Sequence, residues 1–163
     1  MLLWDQEMRS ARSEISELAP SLRLTVAVKT IEQTLTALQP PLSDSPASRI
    51  ISDSLRVCQE AIESGTYFPA VPENLEEAVG NAIDDGPEPG ATPLLMAVVN
   101  CFGHPEPGMG TEELFTVLSD CYQAVLEREQ IEVVTPEAER QNLRCREAIR
   151  VQKEILNAAR GNS

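Results

Sequence analysis

Cys101-Phe102-Gly103-His104 is the one place in this chain where a nucleophile and a base stand close together. A thiol beside an imidazole, with a third group to orient the ring, is the minimum for nucleophilic catalysis. His104 is the only histidine, so any imidazole chemistry must pass through it. With Cys58, Cys101 and Cys121 it would complete a zinc set. Structural zinc, however, draws its thiolates from paired Cys-x₂₋₄-Cys knuckles, and none of the four cysteines is so paired. Cys58, Cys101, Cys121 and Cys145 all fall on apolar periodic positions, which fits reduced, buried thiols of a cytoplasmic protein. The adjacent carboxylates Glu76/Glu77 and Asp84/Asp85 could share acid–base work only if burial pushed their pKa values apart. At a polar helix end they read as solvated. The phosphate-cradling loop, the dinucleotide fingerprint and the nucleophile elbow are all missing. The expectation is a non-enzyme with no cofactor and no metal.

Charge carries more information than motif. The 163 residues hold 26 acids against 13 bases, a formal net charge of −13. This sign opposes binding to nucleic acid by phosphate neutralisation, and opposes an anionic membrane surface. At 4% aromatic residues there is no platform for stacking bases. The imbalance is not spread evenly. From Val57 to Glu127 there are thirteen carboxylates and no lysine or arginine, so the rest of the chain is neutral. Two readings of this block stand side by side. One is a docking surface for a basic protein partner, since a one-signed potential speeds encounter and suppresses wrong partners. The other is a solvated face that aids solubility. The candidate contact residues are Glu73, Glu76, Glu77, Asp84, Asp85, Glu88, Glu112 and Glu113. Some need no partner to explain them: Glu73, Glu76, Glu77, Glu112 and Glu113 fall in first turns of expected helices, where anions complement the macrodipole.

The elements that would position these groups follow from apolar spacing and from the twelve prolines. Trp4, Met8, Ala11, Ile15 and Leu18 step by 4, 3, 4 and 3, predicting a first helix over about 2–18 that Pro20 stops. Leu24, Val28, Ile31, Leu35 and Leu38 predict a second over 21–38. A third, over 46–64, opens with Ser45 as N-cap and Pro46 at N1. A fourth is expected over 73–84. A fifth, over 93–102, is apolar nearly all round and should be central, a buried strand being the competing reading for 94–99. A sixth spans 111–129, and a seventh opens at Thr135-Pro136-Glu137 and runs to about Arg160. With no alternating strands, the expected fold is all-α: a single-domain bundle of six to seven helices over residues 1–163. The start of the chain lacks the basic region of a signal peptide, and no apolar window is long enough to span a membrane.

The seventh helix differs in charge. Arg140, Arg144, Arg146, Arg150, Lys153 and Arg160 alternate with Glu137, Glu139, Glu147 and Glu154, which predicts an exposed helix laced by i,i+4 pairs. A contact between this helix and the acidic block, within one chain or between two, would partly neutralise the asymmetry and remove the docking argument. The stripe from Trp4 to Leu18 is a further candidate for a homodimer contact.

One stretch resembles a known family. Leu22-Arg23-Leu24-Thr25-Val26-Ala27-Val28-Lys29-Thr30-Ile31-Glu32-Gln33-Thr34-Leu35, followed by Ser43-Asp44-Ser45-Pro46-Ala47-Ser48-Arg49-Ile50-Ile51, resembles a helix–loop–helix of the small all-helical immunity proteins that accompany bacterial polymorphic toxins. The resemblance spans roughly residues 20–64. It implies a cytoplasmic, non-enzymatic protein that binds and blocks a cognate toxin domain, with the acidic block facing a basic nuclease.

Overall fold

A computed structural model describes residues 1–161; the last two positions of the expected domain, Asn162 and Ser163, lie outside the described residues. Within them the chain forms α1 (Leu3–Glu7), α2 (Ala11–Ser16), α3 (Pro20–Ala37), α4 (Pro46–Glu63), α5 (Leu75–Asp84), α6 (Ala91–Val99), α7 (Thr111–Glu129), α8 (Pro136–Gln141) and α9 (Leu143–Gly161). No strand occurs among the described residues. The all-α expectation holds, and the 94–99 run is helix.

Among the described residues nine helices stand where six to seven were expected, because two periodic stretches are each broken once. The first breaks at Met8–Ser10. There the Ala11 N–H bonds the Met8 carbonyl three residues back at 3.1 Å, a tight turn between two short helices. Such a turn advances the chain without changing its inward face. Trp4, Met8, Ala11, Ile15 and Leu18 are all buried, so the stripe proposed as a homodimer contact is instead part of the chain's own core. The second break is at Asn142, which is extended (φ −91°, ψ 117°). Its side chain accepts from the Cys145 N–H at 3.0 Å and donates to Glu129 at 3.0 Å. An asparagine that bonds nearby backbone in this way offers an alternative to helix continuation.

α3 and α7 form the centre. α7 packs on α6, α3, α9 and α2, and α3 also meets α9 and α4. One flank is therefore α1, α2, α8 and α9; the other is α4, α5 and α6. The threonine content of α3 does not disturb it. Buried Thr30 and Thr34 donate to the carbonyls of Val26 and Thr30 at 2.8 and 2.7 Å, so each hydroxyl is satisfied inside the helix. α4 begins as its residues predict, with Pro46 in the first turn and the Ser45 hydroxyl accepting from the Ser48 N–H. α6 approaches α7 very closely at Gly90 (φ +92°), where a Cβ would stand 2.9 Å from the Ala124 carbonyl oxygen. Only glycine meets both demands.

The α9 flank has a buried polar seam. Trp4 Nε1–H donates to the Gln152 side-chain oxygen at 2.8 Å, and the Gln152 amide donates to the Leu118 carbonyl at 2.9 Å. The Trp4 ring meets Phe115 at 5.1 Å between centroids, tilted by 60°. Glu139 corrects the exposed-helix expectation: it is fully buried on α8. Its carboxylate accepts the Leu3 N–H at 3.1 Å and the Tyr122 hydroxyl at 2.6 Å. The N–H is one that the first turn of α1 leaves open, so the anion also complements that helix end. Burial, and the bond to Glu139, raise the Tyr122 hydroxyl well above the ordinary phenol range.

Candidate acidic docking surface

α5 buries Leu75, Val79 and Ala82 against α4 and α6. The 3.6-residue period then turns Glu76, Glu77, Gly80, Asn81 and Asp84 toward water, and all five are exposed. Glu73 and Asp85 extend this surface at the two ends. Among the described residues, Glu73, Glu76, Glu77, Asp84 and Asp85 form no ion pair with any lysine or arginine. Five of the eight candidate residues thus share one helix and its margins.

The other three lie elsewhere and are held by the fold. Glu88 pairs with Arg128 at 2.9 Å and accepts the Ser43 N–H and hydroxyl. Burial works against its charged form, but the Ser43 bonds and Arg128 outweigh it and hold the carboxyl below its usual range. Arg128 also donates to the carbonyls of Pro40, Pro41 and Pro89, so Glu88 belongs to a clasp joining two loops. Glu112 pairs with Arg12 at 2.9 Å, and that guanidinium lies 3.9 Å above the Phe115 ring. Glu113 folds back over Gly110, half-buried, with its carboxylate in the space a Cβ at Gly110 would need. The acidic block is therefore partly structural, and its exposed remainder centres on α5. Two further block members are also drawn inward. Glu127 accepts the Gly90 N–H at 3.2 Å, and burial pushes the Asp120 carboxyl up to about 6.

Sequence reasoning passed over Glu60 and Glu63, both exposed in the last turn of α4. Asp84 occupies the same kind of position in α5. No basic residue lies in the last turn of either helix. Anions at a helix C-terminus oppose the macrodipole, so local stabilisation does not account for them as it does for Glu76 and Glu77. The signal was available: Glu63 and Asp84 each stand two residues before a glycine, Gly65 and Gly86, that follows the end of the helix.

The cations of α9 do not cover this surface. Arg144 pairs with Glu129 at 3.5 Å, Arg150 with Glu147 and Glu154, Lys153 with Glu7 at 2.8 Å, and Arg160 with Glu17 at 2.8 Å. All these acids lie outside Val57–Glu127.

The cysteine–histidine residues do not assemble. Cys101 donates weakly to the Ala97 carbonyl at 3.5 Å, while His104 Nε2 lies 2.5 Å from the Asn100 carbonyl and donates there. The four thiols are buried and free. A contact with Cys58, together with burial, raises Cys101 well above the ordinary thiol range, and burial pushes Cys121 up to about 12. Both shifts are opposite to those of a nucleophile or a thiolate ligand. Among the described residues no group of three or more His, Cys, Asp or Glu is arranged to hold a metal ion. No described helix is long and apolar enough to cross a membrane. No protein-family model matches the chain, and neither a curated protein nor a solved structure matches it significantly.

Proposed function

We propose that this chain is a non-enzymatic helical binding protein whose α5 face docks a basic protein partner. The observation that carries the reading is the charge left open there: Glu73, Glu76, Glu77, Asp84 and Asp85 are exposed and unpaired, although the chain has 13 bases. Ten of those bases form hydrogen bonds or ion pairs elsewhere in the fold, as Arg12, Arg128, Lys153 and Arg160 do. Concentrated like charge raises the local potential and accelerates capture of an oppositely charged surface. The likeness of residues 20–64 to immunity proteins makes a toxin domain, held in the cytoplasm, the partner of choice.

The test is binding to the product of the neighbouring reading frame, measured by calorimetry at low and high salt. The expected result is a complex that weakens as salt rises and is lost in the Glu73→Lys/Glu76→Lys/Glu77→Lys variant. Unchanged binding by that variant would overturn the reading and leave the acidic face as a solubilising surface.

A further inference from the structure

The α5 surface borders a groove, and the groove narrows the class of partner. α4 and α5 do not close fully where the first turn of α5 passes the middle of α4. Between them lies a cavity of about 200 Å³, open to solvent. Its apolar walls include Ile50, Val57, Leu75 and Ala78, of which only Leu75 is buried, and the buried Ser54 of α4 lines it as well; its rim carries Asp53 and Glu73. Val71, adjacent in the chain to the lining residue Pro72, is 45% exposed. The cavity is several times the ~30 Å³ of a water molecule, and below the ~300–1,000 Å³ of small-molecule clefts. It matches one apolar side chain better than a cofactor.

We propose that this groove is the anchor of the docking face, receiving a single aliphatic or aromatic side chain from a basic segment of the partner. The proposal rests on the docking reading above and deepens it. Hot spots of protein interfaces are anchors of this kind, seated in a pocket and ringed by polar contacts. The walls also set the segment's orientation. Asp53 is held by Arg56 at 3.2 Å, and α4 carries Arg49 and Arg56 next in the chain to Ile50 and Val57, its open acids Glu60 and Glu63 lying farther along, past Val57. The α5 wall carries Glu73, Glu76 and Glu77 with no cation. The partner's basic residues therefore lie toward α5, one turn or less from the anchor.

The test uses two synthetic peptides, one with a single leucine flanked by lysines and a twin with serine in place of that leucine. Amide chemical shifts of the full chain are followed through each titration. The leucine peptide is expected to perturb Val57, Leu75 and Ala78 and to bind about tenfold or more tightly than its twin, the worth of burying one leucine. Ala78→Phe, which fills the groove, should remove that difference. Val57→Thr, close in shape, should reduce it and serves if Ala78→Phe fails to fold. Equal binding of both peptides, abolished in the triple charge reversal, would overturn the anchor and leave the acidic docking surface standing. Binding of neither peptide would overturn both. A control dilution series of the protein alone covers a second copy as occupant. Concentration-dependent shifts in α5 that vanish in Leu143→Asn, which removes a leucine 63% exposed beside Arg144, would also overturn the proposal.

Discussion

The two flanks of the molecule treat charge in opposite ways. On the α1–α8–α9 side, polar groups are taken out of water and every one is matched: Glu139 by Leu3 and Tyr122, Gln152 by Trp4 and Leu118. Among the described residues no buried side-chain nitrogen or oxygen lacks a partner. On the α5 side, carboxylates stand in water with no cation of the chain beside them. A buried, matched charge is costly to disturb because its partners are stranded when it goes. An exposed, unmatched charge is nearly free to disturb, and so can be given over to recognition. The contrast teaches that net charge alone says little; what matters is whether an acid is committed to internal bonds.

Substitutions at Glu139, Gln152, Asp120 and the Glu76/Glu77 pair break or sharpen this contrast. The largest effect belongs to Glu139→Ala, which strands the Leu3 N–H and the Tyr122 hydroxyl in the core. A loss of about 3 kcal/mol or more in urea unfolding is expected, with Glu139→Gln losing less because an amide oxygen still accepts. Gln152→Ala comes next, leaving the Trp4 N–H and the Leu118 carbonyl unpaired, at about 2 kcal/mol. Asp120 gives an intermediate, pH-dependent case. Its folded pKa, raised to about 6 from an ordinary 3.8, means that the proton is held more tightly in the folded state. The stability from this group is fully present below about pH 4 and is lost as pH rises through 6. Asp120→Asn should raise the urea midpoint at pH 7 and flatten that part of the pH profile. The smallest effect is expected for Glu76→Lys/Glu77→Lys, within about 0.5 kcal/mol of wild type. Loss of a favourable charge–dipole contact is there offset by relief of like-charge repulsion. A large loss in this last variant would erase the distinction between the flanks.

The helical faces were legible in the spacing, since burial fixes a period that even a break in the helix preserves. Trp4 through Leu18 kept their inward stripe across the Met8–Ser10 turn. The breaks themselves were not legible, because they depend on single side-chain bonds such as those of Asn142. The charge block was readable as a count, and its α5 members were correctly exposed. The internal commitments of Glu88 and Glu112 were hidden, because Arg128 and Arg12 lie 40 and 100 positions away in the chain and come near only through folding. Glu139 escaped for the same reason: among the arginines and glutamates of its neighbourhood nothing local marks it as buried.

The placement of Trp4 has a practical consequence. It is the chain's sole tryptophan, sealed between Phe115 and Gln152 on the flank remote from α5. Its emission is therefore an intrinsic optical gauge of whether residues near the beginning of the chain remain clasped to α9. Occupancy of α5 leaves the colour unchanged, whereas release of that clasp shifts it to the red, so one cuvette distinguishes events on opposite faces without a label.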